Sequence, residues 1–274
     1  MRINTNVSSL TAQEAAQNTT KTLTGSLEKL STGLRINKAS DDASGLAIAD
    51  KLRTQATSIN QGIANGNSAV TLLQIADKSM AEQSNILDTV KAKLIQANTA
   101  TTSSAGRKAI SADISKLLTQ FDNIAKSTNY NGTDLISASA ADLDFQVGED
   151  STKGKITLTA IDSSASAYSL GALSSITSLT MASAATLQGT VDSAINSLNT
   201  NRGSIGSTQN QVESAVRNLM TMSTNVKAAE SIIRDVDYAA ESANFNKQNI
   251  ISQAGSYAIS QANSVQQNVL RLLQ

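Results

Sequence analysis

The sequence predicts a mainly α protein: a long antiparallel helical bundle or coiled-coil rod with a small β-hairpin region. Three observations support this fold class. Apolar residues recur every seven positions over long stretches, which is typical of helices that pack side by side. The 274 residues include no proline and only 3% aromatic residues, so no helix carries a proline kink and few large rings can fill a globular core. Alternation of apolar and polar residues is confined to the middle of the chain.

The N-terminal segment carries a stripe of leucines with helical spacing, and the stripe becomes weaker toward the first residues. It predicts a helix, and the residues that mark its end are Thr32-Gly33, Asn37 and Ser40. The apolar positions of this stripe are Ile3, Val7, Leu10, Leu23, Leu27, Leu30 and Leu34.

A longer stripe with a seven-residue repeat predicts a helix from about 41 to 100, roughly 90 Å in length. Ser40 is the predicted N-cap, and Asp41 and Asp42 are the predicted acids of the first turn. A paired-carboxylate site is the alternative interpretation of these two acids. The positions of the stripe that we expect in the core are Leu52, Ile59, Leu73, Leu87 and Leu94.

The middle of the chain is predicted to hold a second helix and one β-hairpin. A stripe from Ile110 to Ile124 predicts the helix, which ends before the turn residues at 129–132. The hairpin is predicted by apolar residues that alternate with polar ones on either side of two glycines, Phe145 and Val147 before them and Ile156 and Leu158 after them. The segment 163–184, rich in Ser, Ala and Thr, predicts no element.

The C-terminal part carries two further stripes. The first predicts a helix over about 186–233, with core positions Leu198, Ile205, Val212, Leu219, Val226 and Ile233. The second predicts a helix over about 240–273, with apolar positions Ile251, Ala258, Val265, Val269 and Leu272. The repeat slips between them, near Asp235 and Asp237, so a break is expected there. A hinge is the favoured interpretation of the two aspartates, since two carboxylates are too few ligands for calcium.

The order of the stripes implies how they pair. The two long stripes are natural partners, and so are the two terminal ones, which would bring both termini to the same end of a rod. The terminal stripes contain too little apolar bulk to order two helices independently. They could fold back on the bundle of their own chain, or they could become ordered against neighbouring copies, and the second interpretation is favoured.

The composition excludes several functional classes. The charges balance, 22 Lys and Arg against 22 Asp and Glu, so the chain lacks the positive surface that contacts with nucleic acid require. Cysteine and histidine are absent, which removes the usual zinc ligands, disulfides and nucleophile–histidine pairs. We expect no nucleic acid partner, no metal, no cofactor and no enzymatic activity. We also expect no membrane span and no cleavable signal, because no apolar run is long enough.

Several ordered motifs resemble those of bacterial flagellins. They cover roughly 1–160 and 186–274. The N-terminal ones are Ser31-Thr-Gly-Leu-Arg-Ile-Asn37, Asp41-Asp-Ala-Ser-Gly-Leu-Ala-Ile-Ala49 and Asn131-Gly-Thr-Asp-Leu-Ile136. The C-terminal ones are Ile233-Arg-Asp-Val-Asp-Tyr-Ala239, Ser252-Gln-Ala-Gly255 and the run from Gln261 to Leu270. One departure is Gln266, where the family often has proline.

The resemblance implies a short flagellin without large outer domains. It implies an inner tube domain formed by 1–40 and 236–274, in which the two terminal stripes pack between subunits. It also implies a rod domain formed by 41–185, with two helices and the hairpin region, and by the helix of 186–235.

The resemblance further implies a self-assembling filament subunit that is exported unfolded by the flagellar type III route to the extracellular filament. The implied partners are other copies of the chain, an export chaperone, the filament cap and the hook-junction proteins. A hook–filament junction protein, which has similar ends, is the alternative.

One departure from the family concerns innate recognition. In many flagellins the helix that corresponds to 86–94 carries an arginine and a glutamate that a Toll-like receptor reads. The corresponding positions here hold Thr89 and Ala92. Weak or absent receptor activation is therefore expected, with ordinary surface positions as the alternative interpretation of these two residues.

Overall fold

The computed structural model describes residues 5–150, 153–176 and 178–272, without the side chains of Gln266 and 269–272. The helices within these ranges are α1 Val7–Thr32, α2 Ala43–Ala97, α3 Ser104–Ser127, α4 Gly171–Ser174, α5 Met181–Arg234 and α6 Tyr238–Leu272. The strands are β1 Asn129–Tyr130, β2 Thr133–Asp134, β3 Leu143–Gln146 and β4 Lys155–Leu158, which form two antiparallel pairs. The mainly α class with a small β region is confirmed, with one β-pair more than predicted.

The chain divides into two compact units, one formed by 1–56 with 224–274 and the other by 57–223. Helices α2 and α5 contribute residues to both. None of the helices in the described ranges is both long and apolar enough to span a bilayer.

In the first unit, the ends of α1 follow from local chemistry. The side chain of Asn6 accepts a hydrogen bond from the Ser9 N–H at 3.1 Å and caps the helix start. The helix ends at Gly33, whose φ of 73° is the left-handed conformation that glycine adopts without strain. Leu34 therefore lies beyond the helix and forms an isolated antiparallel bridge with Asp235.

The start of α2 corrects one prediction. The N-cap is Asp42 rather than Ser40, because the Asp42 carboxylate accepts a hydrogen bond from the Gly45 N–H at 2.9 Å. Asp41 does not lie in the first turn either. Its carboxylate faces the preceding loop and accepts hydrogen bonds from the N–H groups of Asn37 and Lys38, both at 3.0 Å.

The predicted break between the C-terminal helices is observed at 235–237. There α5 ends at Arg234, and the Asp237 carboxylate accepts hydrogen bonds from the N–H groups of Ala239 and Ala240, at 2.9 and 3.1 Å, to cap α6. Asp235 instead accepts a hydrogen bond from the Ser231 hydroxyl. Each aspartate is thus satisfied by its own chain segment.

In the second unit, α2 and α5 run antiparallel. Three polar pairs join them along their length: Asn60 with Ser223, Asp77 with Arg202 and Lys91 with Asp192. The buried residues of the two helices in this unit include alanines as well as Leu, Ile and Val.

The hairpin of β3 and β4 lies on α2. Its register pairs Phe145 with Ile156. The Asn65 side chain donates a hydrogen bond to the Gln146 carbonyl at 2.9 Å, and the Val147 carbonyl fills the space where a side chain at Gly62 would lie. Gly62 is therefore needed for this close approach.

The segment for which no element was predicted contributes to the core. It contains α4, and its buried residues include Ser163, Ala165, Tyr168, Leu170, Leu173 and Leu179. The Tyr168 and Phe121 rings pack edge to face with centroids 6.0 Å apart. The local sequence pattern does not predict the structure of this segment, because contacts with α3 order it.

Candidate assembly surfaces

Helices α1 and α6 pack against each other in antiparallel orientation. Asn6 donates a hydrogen bond to the Ala262 carbonyl at 3.1 Å, and Asn244 donates one to the Ser26 hydroxyl at 3.3 Å. Between these points, an added Cβ at Gly255 would lie 3.8 Å from the Cβ of Ala16. The seam between the helices is thus made largely of small and polar side chains.

This seam buries very few side chains. Among the described side chains of α1 and α6, only Ser26 is fully buried. Seam positions of α6 that are half-buried include Phe245, Gln248, Ser252, Gly255, Ile259 and Ala262. A pair of helices with so little apolar burial is weakly stabilised in isolation.

Among the predicted packing residues of the terminal stripes whose side chains the structure describes, most are exposed and lie outside the seam. Those that are exposed are Val7, Leu10, Leu27, Ile251, Ala258 and Val265, with Leu27 exposed by 55%. Those that are half-buried are Leu23, Leu30 and Leu34. Ile3 and the side chains of Val269 and Leu272 lie outside the described part of the chain.

Further exposed apolar side chains escaped the sequence analysis. Ile250 is 67% exposed and Tyr257 is 75% exposed on α6, and Ile232 is 81% exposed near the end of α5. Ile250 and Tyr257 are themselves seven residues apart, one position before the predicted pair Ile251 and Ala258, so the repeat did contain a signal for these two residues. Together with the exposed residues of the terminal stripe, Ile250 and Tyr257 give α6 a broad apolar surface that α1 does not cover.

The predicted rod-core residues divide by unit. Those of the second unit are fully buried: Ile59, Leu73, Leu87, Leu94, Leu198, Ile205, Val212 and Leu219. Those of the first unit, Leu52, Val226 and Ile233, are half-buried.

Sequence analysis also missed a buried polar cluster in the second unit. Gln83 is 0% exposed and its amide donates to the carbonyls of Phe121 and Ser163, at 3.1 and 3.0 Å. The Ser163 hydroxyl donates back to the Gln83 side-chain oxygen at 2.5 Å. Asn201 donates to the Tyr168 hydroxyl at 2.9 Å, and burial raises the pKa of this tyrosine. The sequence did indicate this cluster, since Gln83 is a polar residue at a position of the apolar repeat and is therefore expected to be buried.

The loop before α2 is held by charged groups. The Lys38 ammonium lies 2.7 Å from the Glu28 carboxylate, and that hydrogen bond raises the pKa of Lys38. The N–H groups of Lys38 and Asn37 lower the pKa of Asp41. These groups order the loop; within the described residues no cluster of three or more potential metal ligands occurs.

The receptor-equivalent positions Thr89 and Ala92 are both exposed on α2. The Thr89 hydroxyl donates a hydrogen bond to the Asn85 carbonyl at 2.9 Å, within its own helix. This surface therefore offers neither a guanidinium nor a carboxylate at these two positions.

Comparison with known proteins agrees with this architecture. Residues 3–141 match the family described as the bacterial flagellin N-terminal helical region, and residues 188–273 match the bacterial flagellin C-terminal helical region. The chain is 35% identical to flagellin of Bacillus subtilis and 32% identical to the flagellar filament 33 kDa core protein of Treponema phagedenis, each over the full length of both chains.

Other similarities are partial. Flagellin B of Helicobacter pylori is 48% identical over 54% of this chain, and the match spans 29% of that longer protein. The crystal structure of Bacillus cereus flagellin superposes with a TM-score of 0.50 at 26% identity, over 61% of this chain and 94% of that one.

Proposed function

This chain belongs to the bacterial flagellin family, and from that premise we propose that it is a structural subunit that polymerises with copies of itself into the extracellular filament of a bacterial flagellum. One observation of the structure carries the proposal: α1 and α6 leave much of their apolar stripes exposed while they pack through a seam of largely small and polar side chains. Such surfaces are stabilised when neighbouring copies cover them.

The segments 1–40 and 236–274 would then form the inner tube of the filament, and the rest of the chain the rod domain around it. The compact unit of 1–56 and 224–274 supports this division, since it contains both tube segments. The apolar residues of α1 and α6 would pack against the same helices of adjacent subunits. Flagellins are structural proteins, so we assign no catalytic step to this chain.

The remaining partners follow from family membership. The chain would be exported unfolded, without signal cleavage, bound first by an export chaperone, and would add at the filament tip beneath a cap. Hook-junction proteins would hold the filament base. The relatives are named as flagellins and filament core proteins, and they lend no support to a junction role for this chain.

Seeded growth tests the polymerisation proposal. Leu27→Ala should raise the subunit concentration needed for growth on short filament seeds by about tenfold or more, because a leucine buried between subunits contributes about 1.5–3 kcal/mol. The matched control is Gln17→Ala, which alters an exposed polar residue of the same helix. Normal growth of the Leu27 variant, followed by electron microscopy, would contradict the tube assignment.

Weak or absent activation of a Toll-like receptor is the second part of the proposal. Support comes from the exposed, uncharged side chains at positions 89 and 92. A cell reporter should respond weakly to the purified monomer, and the double change Thr89→Arg with Ala92→Glu should raise the response. A strong response to the unchanged chain would refute this part and leave the filament role intact.

A further inference from the structure

The chain contains two Asn-Gly dipeptides, at 65–66 and at 131–132. This dipeptide is chemically labile, because glycine has no side chain to shield its backbone nitrogen from the preceding amide group. Reaction also requires the backbone to rotate until that nitrogen reaches the asparagine Cγ. The structure gives the two dipeptides opposite environments.

Asn131 and Gly132 form the two-residue turn between β1 and β2. Their φ angles are 51° and 81°, as expected for Asn-Gly in a tight hairpin turn. Both residues are exposed, and no atom lies within 4 Å of a Cβ built on Gly132. Among the described residues, the Asn131 side chain makes no hydrogen bond, and the Gly132 N–H donates to no backbone carbonyl. Local rotation here meets little resistance.

Asn65 and Gly66 lie inside α2, where the Gly66 N–H belongs to the helical hydrogen-bond ladder. The Asn65 amide donates to the Gln146 carbonyl and accepts from the Gln61 amide, each at 2.9 Å. Gly66 is buried, and Val216 occupies the space where its side chain would lie. Rotation at this site requires the helix to open.

We propose that Asn131 is a site of spontaneous deamidation in the folded chain and that Asn65 is protected from it. The Gly132 nitrogen, after losing its proton to water or hydroxide, attacks Cγ of Asn131 and forms a new C–N bond. The bond from Cγ to Nδ2 breaks, and the amide nitrogen takes a proton and leaves as ammonia. Water then opens the resulting five-membered imide at either carbonyl. The products are aspartate or isoaspartate at position 131.

The modification would alter the turn. Either product places a negative charge close to Asp134, whose carboxylate accepts hydrogen bonds from the Ser137 and Ser139 hydroxyls. Isoaspartate also adds a carbon to the main chain, which a two-residue turn cannot accommodate. The buried Leu135 and Ile136 follow immediately, so the core contacts of this segment depend on the turn.

The test is incubation of the full chain in mildly alkaline buffer, with peptide mass spectrometry and an enzymatic isoaspartate assay at intervals. In the folded chain, position 131 should react at least about tenfold faster than position 65, since the helix site must first open. In urea the two positions should react at similar rates.

Two variants sharpen the test. Asn131→Gln should remove the reaction at this position, because ring closure from the longer side chain is unfavourable. Gly132→Asn keeps a residue that tolerates a positive φ while shielding the nitrogen, and it should slow the reaction several-fold. The proposal is overturned if the folded chain stays unmodified at 131 while the urea-treated chain reacts, or if positions 65 and 131 react equally in the folded chain.

Discussion

At the residue scale, two glycines of α2 leave space that atoms of neighbouring segments occupy. An interior helix glycine costs about 1 kcal/mol relative to alanine. Gly62 and Gly66 interrupt the apolar stripe of α2, and neighbouring groups offset this cost: the Val147 carbonyl approaches Gly62 and the Val216 side chain packs on Gly66. The close approach of the hairpin and of α5 thus depends on these two positions.

Gly66→Ala should therefore lower the free energy of unfolding by about 1 kcal/mol or more, because overpacking against Val216 outweighs the gain in helix propensity. Urea unfolding followed by circular dichroism measures the change. Gly203→Ala is the matched control. No atom lies within 4 Å of a Cβ at Gly203, so this variant should be more stable by about 0.5–1 kcal/mol. Two stabilised variants would contradict the packing argument.

Gln83→Leu should destabilise the chain by about 2–4 kcal/mol, because it removes the buried hydrogen bonds from Gln83 to the carbonyls of Phe121 and Ser163 and leaves the Ser163 hydroxyl only the Tyr168 hydroxyl at 3.3 Å. Gln74→Leu makes the same change at an exposed position of α2 and should stay within about 0.5 kcal/mol of the parent. Equal effects of both substitutions in urea unfolding would show that the buried cluster contributes nothing.

Asp41 makes the stability of the loop before α2 depend on pH. Its folded-state pKa lies below the ordinary value of 3.8, so its ionised form stabilises the fold above that pH. The contribution is lost as the pH falls from 3.8 through the folded pKa. Asn at this position cannot ionise, so Asp41→Asn should be less stable than the parent near neutral pH, and the difference should shrink in acid. A difference that is constant with pH would contradict this assignment.

At the element scale, two pairs of packed helices behave differently. The portions of α2 and α5 in the second unit bury a continuous set of Leu, Ile, Val and Ala side chains, and polar pairs such as Asp77 with Arg202 fix their register. Helices α1 and α6 bury one serine among their described side chains. Local stability should follow burial rather than helix length.

Hydrogen exchange followed by mass spectrometry tests this difference. In the monomer, amides of α1 and α6 should exchange faster than those of 57–97 and 184–223 by about 100-fold or more, because opening exposes little apolar surface. In filaments grown on seeds, α1 and α6 should become protected. Equal protection of all four helices in the monomer would contradict the argument that the terminal pair is weakly ordered.

At the scale of the whole molecule, the unit of 57–223 holds most of the buried apolar residues. Deletion of 1–35 should therefore leave a soluble, helical chain that unfolds cooperatively but does not add to filament seeds. Circular dichroism and electron microscopy measure the two outcomes. Continued filament growth after the deletion would contradict the role proposed for α1.

Long-range repeats made much of this fold predictable. The seven-residue spacing located α2, α5 and α6 to within five residues at each end, and the break at Asp235 to Asp237 followed from a slip in that spacing. The first residues of α5, from Met181 to Ala185, and the helix at Gly171–Ser174 were not predicted, because these segments carry no such repeat. These segments are ordered by contacts with residues that lie far away in the sequence, and a local pattern cannot predict such contacts.

The sequence by itself determined the helical class, the hairpin and the shortage of apolar bulk at the chain ends, because periodicity and composition are local properties. Only the tertiary structure decided which face of α6 meets α1, that Gln83 and Ser163 satisfy each other, and that Gly66 admits Val216. A repeat shows that a helix has an apolar face. It does not show what covers that face, because partners are set by packing between segments far apart in the chain.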